Sequence, residues 1–127
     1  PQMETGNLLD CYGNLRSEMD TYMKYLKAWN KTVCMWGASH QGFTLAATTS
    51  LGKNVQYIID SAPFKHGKFA PASHLPIVPP DYFTEHPVDA IVITAPGYTD
   101  EIAKIIRERC GEKIEIRAMR SNHLEMV

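Results

Sequence analysis

The 127-residue chain has no apolar run long enough to span a bilayer, and no basic start followed by the apolar core of a secretory leader. A cytoplasmic location is the expectation. Cysteine is scarce: Cys11, Cys34 and Cys110 are odd in number and scattered, with no C-x-x-C pair, which points to neither a disulfide framework nor a zinc site. Excess charge is missing as well, because 13 Lys and Arg stand against 14 Asp and Glu. Such a balance carries no basic footprint for nucleic acid and no acidic tail, so neither a nucleic-acid nor a membrane partner is expected. There is no internal repeat and no low-complexity segment. An initiator methionine is lacking too. Pro1 leads almost at once into a helical pattern, as in a domain cut from a longer polypeptide, and the expectation is an excised domain.

What is present is organised around residues 32–60, TVCMWGASHQGFTLAATTSLGKNVQYIID. An apolar strand at 32–36 enters the turn Gly37-Ala38-Ser39-His40-Gln41-Gly42, a helix follows, and a second strand at 55–59 ends in Asp60. That is the opening of a Rossmann-like unit. Gly37 permits the sharp exit from the strand and Gly42 lets the helix pack closely on the sheet. The middle position, where backbone must approach a pyrophosphate, is Ser39. Asp60 stands about twenty residues beyond the turn, where an acid holds a ribose hydroxyl in an NAD site, although an acid closing a surface strand is common in α/β proteins. An NAD-binding domain is therefore a minority reading.

Before this unit, Leu8, Tyr12, Leu15, Met19, Tyr22, Leu26 and Trp29 recur at spacings of four and three, one apolar stripe on a helix over 8–29. It lies on the core or bridges to a preceding domain, and a homo-oligomer assembled through the stripe is a further possibility. After the turn a helix over 43–50 is expected, stopped at 51–54 with Gly52 as its C-terminal cap. Beyond Asp60, Pro63, Pro71, Pro76, Pro79 and Pro80 forbid the usual crossover helix and predict a shaped loop with one short strand at 75–78. Phe64, Phe69, Leu75 and Ile77 supply its packing. A helical turn at 81–85 and a buried strand at 88–95 follow. Thr99 is the expected N-cap of a helix that faces the sheet with Ile102, Ile105 and Ile106 and ends at Cys110-Gly111. Residues 113–118, KIEIRA, alternate as an edge strand does, and 119–127 carry no assignment. The resulting fold class is α/β: a Rossmann-like three-layer sandwich with a mostly parallel sheet and an added N-terminal helix. Residues 1–30 form the leading helix and 31–127 the core.

In such a sheet ligands bind beyond the carboxyl ends of the strands, where strand order reverses. That edge gathers Ser39, His40, Gln41, Asp60, the 65–74 loop, Gly97 and Tyr98. Lys65 and Lys68 suit a diphosphate, but exposed lysines in a polar loop are ordinary. His40 suits a phosphate or sugar oxygen, or simply fixes the turn. A His40, His66, His74 metal site matches no ligand spacing. Trp36 and Phe43 are aromatics that either stack on a base or belong to the core. Cys34, in mid-strand without an activating neighbour, reads as a buried apolar residue.

WGASHQGFTL, YIIDSAPFKHGKFAPASHLPIVPPDYF and VDAIVITAPGYTDEI together resemble the C-terminal domain of the C-methyltransferase family, over roughly residues 31–109. That family includes S-adenosylmethionine-dependent enzymes that methylate a carbon of nucleotide-linked deoxysugars. The resemblance implies a Rossmann-like, non-catalytic domain that binds no cofactor by itself and helps to hold a small-molecule substrate. It places S-adenosylmethionine and the catalytic groups on an upstream methyltransferase domain of the same chain. It also makes Gly37, Ser39, His40, Gln41, Lys65, Lys68 and His74 candidate substrate contacts, beside Asp60 and Tyr98 from the edge argument. Three positions depart from the family pattern: Ser39 and Ala72 stand where glycine is frequent, and Gly97-Tyr98 where tryptophan is.

Overall fold

The computed structural model describes residues 2–95, 97–119 and 124–127, and side chains from residue 14 onward. The elements run α1 (Gln2–Ala28), β1 (Val33–Trp36), α2 (His40–Thr48), α3 (Leu51–Asn54), β2 (Val55–Ile59), β3 (Ile77–Val78), α4 (Tyr82–Glu85), β4 (Ala90–Ile93), α5 (Thr99–Cys110), β5 (Glu115–Met119) and β6 (Leu124–Met126). Among the described residues the sheet has the order β3-β2-β1-β4-β5-β6, with β1 to β5 parallel and β6 antiparallel to β5. Strand order thus reverses between β1 and β4.

The central strands explain the order. Every residue of β1 and β4 is buried. Because successive side chains point to opposite faces, Val33, Met35, Ala90 and Val92 enter one core while Cys34, Trp36, Ile91 and Ile93 enter the other. A strand apolar on both faces needs helices on both. Leu45, Ala46 and Leu51 of α2 and α3 cover the first face, and Ala103 and Ile106 of α5 cover the second.

The leading helix completes the first layer. Leu15, Met19, Tyr22, Met23 and Leu26 are buried in the same core as α2, and Tyr22 Oη donates to Glu115 of β5 at 3.0 Å. At about 1.5–3 kcal/mol for each large side chain fully buried, these contacts outweigh any exposed ion pair on the helix. The described part of the stripe is therefore spent within the chain. Trp29 is an exception: it lies past the helix end and is 69% exposed. Asn30, at φ +55°, turns the chain left-handed, and the Lys31 and Asn30 amides donate to the Leu26 and Lys27 carbonyls. This closure ends the helix before the periodicity does. Leu8 and Tyr12 lie outside the described side chains.

Several expectations are corrected. Helix α2 begins at His40 rather than residue 43, because Ser39 caps it: its Oγ accepts from the Gly42 amide at 3.0 Å. Gly52 is no cap but sits inside α3, where a Cβ would lie 2.5 Å from the Ala46 carbonyl oxygen. The N-cap of α5 is Tyr98, without a side-chain bond, and Thr99 is already helical with a buried hydroxyl that has no partner among the described residues. Residues 115–119 are not an edge, since β6 pairs outside them. In the 61–80 loop, Leu75 and Ile77 are buried as expected, whereas Phe64 and Phe69 are 72% and 65% exposed. The strand at 88–95 pairs over only Ala90–Ile93, and that at 75–78 over Ile77–Val78.

Candidate functional site

The carboxyl ends of β1 and β4 open into a cleft of about 560 Å³, within the size of ordinary small-molecule sites. One wall is the turn after β1. Gly37, at φ +119°, passes so close to the end of β4 that a Cβ would meet that of Ala95 at 2.8 Å. Gly42 faces Thr94, where a Cβ would also be 2.8 Å from the threonine Cβ. Gly37 thus makes the sharp exit at a positive φ, and Gly42 allows the close approach of α2 to the end of β4.

Ser39 closes what the middle glycine would leave open. Its hydroxyl donates to the Thr94 carbonyl while accepting from the Gly42 amide. Thr94 Oγ1 in turn donates to the Gly37 carbonyl at 2.7 Å. The two strand ends are stitched together, and the Gly42 amide in the first turn of α2 is satisfied internally.

Asp60 is likewise occupied. One carboxylate oxygen accepts from the Ala38 amide and the other from the Ala62 amide, each at 2.8 Å. Lys65 approaches it at 3.6 Å and donates to the Ala38 carbonyl at 2.9 Å. His66 Nε2 donates to the Asp60 backbone carbonyl at 2.6 Å, the role that an accepting carbonyl demands. An NAD site needs this acid free for a ribose and the turn free for a pyrophosphate. Here each Asp60 oxygen already accepts an amide and the Gly42 amide is capped by Ser39, so those contacts of an NAD site would compete with bonds inside the turn.

The opposite wall comes from the start of α5. Tyr98, Glu101, Ile102 and Ile105 line it at helical spacing, with Tyr98 61% exposed. Of the residues singled out from the sequence, Gly37, Ser39, Gln41, Asp60, Lys65 and Tyr98 line the cleft. His40, Lys68 and His74 are exposed but do not line it. Glu101, Ile102 and Ile105 were not singled out. The available signal was that α5 follows the strand at the reversal point, so its first turns must border the crevice. Trp36 is 2% exposed and floors the cleft, and Phe43 packs against the core. Cys34 is wholly buried, and burial pushes its thiol pKa upward, away from nucleophilic use. Among the described residues no group of three His, Cys, Asp or Glu is placed to hold a metal, and no helix is long and apolar enough to cross a membrane.

Comparison with known proteins agrees with this architecture. A profile of the C-methyltransferase C-terminal domain matches residues 10–115. The chain belongs to that family. As a C-methyltransferase C-terminal domain it is 30% identical over 89 residues to the C-methyltransferase NovU of Streptomyces niveus, a match covering 69% of this chain and 21% of NovU. The chain thus spans about a fifth of the length of that relative. Its fold is similar to that of UDP-D-quinovosamine 4-dehydrogenase from Vibrio fischeri, with a TM-score of 0.61 at 19% identity over 76% of this chain and 93% of that one. The domain's Ala72 adopts φ +65°, a left-handed conformation that favours glycine.

Proposed function

We propose that this domain is the substrate-holding C-terminal part of an S-adenosylmethionine-dependent C-methyltransferase acting on a nucleotide-linked sugar. The methyl donor and the catalytic acid and base belong, on this reading, to an upstream domain of the same polypeptide, and this chain contributes no catalytic residue. Family membership supports the chemistry, and the short coverage of NovU supports the division of labour.

One observation carries the binding role. The phosphate turn is sealed by Ser39 and Thr94, yet the cleft beside it stays open and mixed in character. A fold that has closed its dinucleotide turn and kept the crevice retains a use for the crevice. Lys65, Gln41 and Tyr98 offer a cation, an amide and an aromatic face there, against the apolar Ile102 and Ile105. This is the mixture of apolar walls and a few polar groups typical of small-ligand sites. His40, Lys68 and His74 belong instead to a more distant contact surface.

The test is titration calorimetry of the chain with a panel of nucleotide-linked hexoses and with NAD. Saturable heat with a nucleotide sugar, reduced by Tyr98→Ala and absent with NAD, is the expected result. Heat with NAD that Asp60→Ala abolishes would replace the proposal with the dinucleotide reading.

A further inference from the structure

We propose that the groove between α1 and the corner joining α2 to α3 is an anion site for a terminal phosphate, as on a sugar phosphate or in inorganic pyrophosphate. It lies at the amino ends of the strands, on the edge of the sheet opposite the cleft, because α2 starts at the end of β1 and α3 leads into the start of β2.

The groove has a volume of about 680 Å³, and three lysines converge on it. Lys24 and Lys27 stand one turn apart on α1, and Lys53 comes from α3. Asp20 is the acid among the lining residues, so three lysines against one aspartate leave the groove positive. The chain as a whole carries a formal charge of -1, which makes this a local concentration of charge and not a sample of a basic surface. All three lysines are exposed, and none makes a side-chain hydrogen bond or ion pair among the described residues.

The neutral polar groups of the lining are committed to the fold. Thr48 Oγ1 donates to the Thr44 carbonyl, Thr49 Oγ1 to that of Leu45 and Asn54 Nδ2 to that of Ser50, while the Ser50 hydroxyl donates to Asp20. These bonds fix the corner. Gly52 tightens it further, since a Cβ there would lie 2.5 Å from the Ala46 carbonyl oxygen. The wall is therefore stiff and the ammoniums are its uncommitted donors. Lys27 and Lys53 each stand in the last turn of a helix, where the dipole favours a cation. That accounts for each of them singly, but neither for Lys24 nor for the meeting of all three on one concave surface.

A terminal phosphate carries about −1.5 to −2 charges at neutral pH in a group small enough for several ammoniums to share. Lysine suits it as a point charge on a flexible stem. A diphosphate that bridges two esters, as in NAD or a nucleotide-linked sugar, spreads its charge over hindered phosphates and meets three lysines less well. An acidic peptide finds little to anchor it, because the apolar lining is the buried Met23 and the small Ala47.

The experiment is a backbone-amide NMR titration of the chain with glucose 1-phosphate, inorganic pyrophosphate and NAD, in about 0.15 M sodium chloride so that distant surface charges are screened. The first two should shift the amides of residues 24–27 and 48–54 saturably, and NAD should leave them unmoved. Tighter binding of the sugar phosphate assigns the site to a phosphorylated metabolite, and tighter binding of pyrophosphate assigns it to the free anion. Lys27→Ala and Lys53→Ala should each weaken both ligands about two- to fivefold, the scale of one exposed ion pair. Asp20→Asn removes the opposing charge and keeps an acceptor oxygen for Ser50, so it should tighten binding by a similar factor, a change that a purely structural aspartate would not produce. The lysines are exposed, so their variants should retain the wild-type spectrum elsewhere. Shifts that rise without saturating, shifts that saturate equally in both lysine variants, equal binding of NAD, or no shift at all would each overturn the proposal. None of these outcomes touches the substrate reading of the cleft, which the amides of residues 37–41 and 98–102 report.

Discussion

Asp60 and Lys65 hold the backbone of one residue between them: the Ala38 amide donates to the carboxylate and the Ala38 carbonyl accepts from the ammonium. The residue that a dinucleotide-binding protein would offer to its cofactor has become a structural tie between the end of β2 and the turn after β1. Removing it should be felt in stability first. Asp60→Ala leaves the Ala38 and Ala62 amides without their acceptor. Hydrogen bonds to a charged group contribute about 1.5–3 kcal/mol each, and partial rehydration offsets some of that, so a loss of about 2–3 kcal/mol is expected. Urea denaturation of the two proteins measures it, and an unchanged midpoint would show that the tie carries no stability.

The turn itself is intolerant at Gly37. Gly37→Ala adds a Cβ 2.8 Å from that of Ala95, at a φ of +119° that side chains avoid. Strain of this kind costs about 1–3 kcal/mol before the clash is counted. Ser39→Ala loses both a helix cap and the bond to the Thr94 carbonyl, about 1 kcal/mol each, so the fall in melting temperature for Gly37→Ala is expected to be at least as large as that of Ser39→Ala.

Ala72 offers the opposite case. Its left-handed backbone costs an alanine about 1–2 kcal/mol, part of which glycine recovers against its greater freedom when unfolded. Ala72→Gly should therefore stabilise the domain by about 0.5–1 kcal/mol. Thermal unfolding checks the sign, and destabilisation would contradict the left-handed assignment.

Acid should loosen the leading helix from α3. Asp20 accepts from both the backbone amide and the hydroxyl of Ser50, each at 2.8 Å, and these bonds hold its carboxyl below the ordinary 3.8. A carboxyl with a lowered folded pKa binds its proton more readily when unfolded. Its contribution is fully present above pH 3.8 and fades as pH falls through the folded value. Asp20→Asn should flatten this part of the stability profile, measured by chemical denaturation from pH 6 down to about pH 3.

Much of the scaffold was legible because local chemistry and global fold agree there. Val55–Ile59 is bounded by a turn residue and an acid, and its limits are those read from the sequence. The Ala90–Ile93 strand was recognisable as central because a run apolar on both faces has no other place to go. Where the reading failed, a tertiary partner decided. Residues 113–118 alternate as an edge strand does, and only the pairing of Leu124–Met126, three residues without a periodic signature, with Arg117–Met119 makes the strand internal. Trp29 fits the apolar stripe by number, but the left-handed Asn30 ends the helix first.

The site was legible in part. Gly37, Ser39, Gln41, Asp60, Lys65 and Tyr98 come together because the fold brings strand ends together, a consequence of topology that a sequence already contains. His40, Lys68 and His74 do not join them. The path of a long loop is set by which of its residues find burial, and here Ala70, Leu75 and Ile77 do while Phe64 and Phe69 do not. Hydrophobicity alone ranks these residues wrongly. The engagement of Ser39 and Asp60 was equally hidden, since it depends on Thr94, Ala38 and Ala62 arriving at hydrogen-bond distance.

The central claim is that the cleft between the turn after β1 and the start of α5 holds the nucleotide-linked substrate of a C-methyltransferase. Steady-state kinetics of Tyr98→Ala in the longer methyltransferase proposed as the parent tests it most directly. The account predicts a KM for the nucleotide sugar raised about tenfold, the scale of one lost stacking contact, with the KM for S-adenosylmethionine unchanged. An unchanged KM for the nucleotide sugar, or equal rises for both substrates, would contradict it.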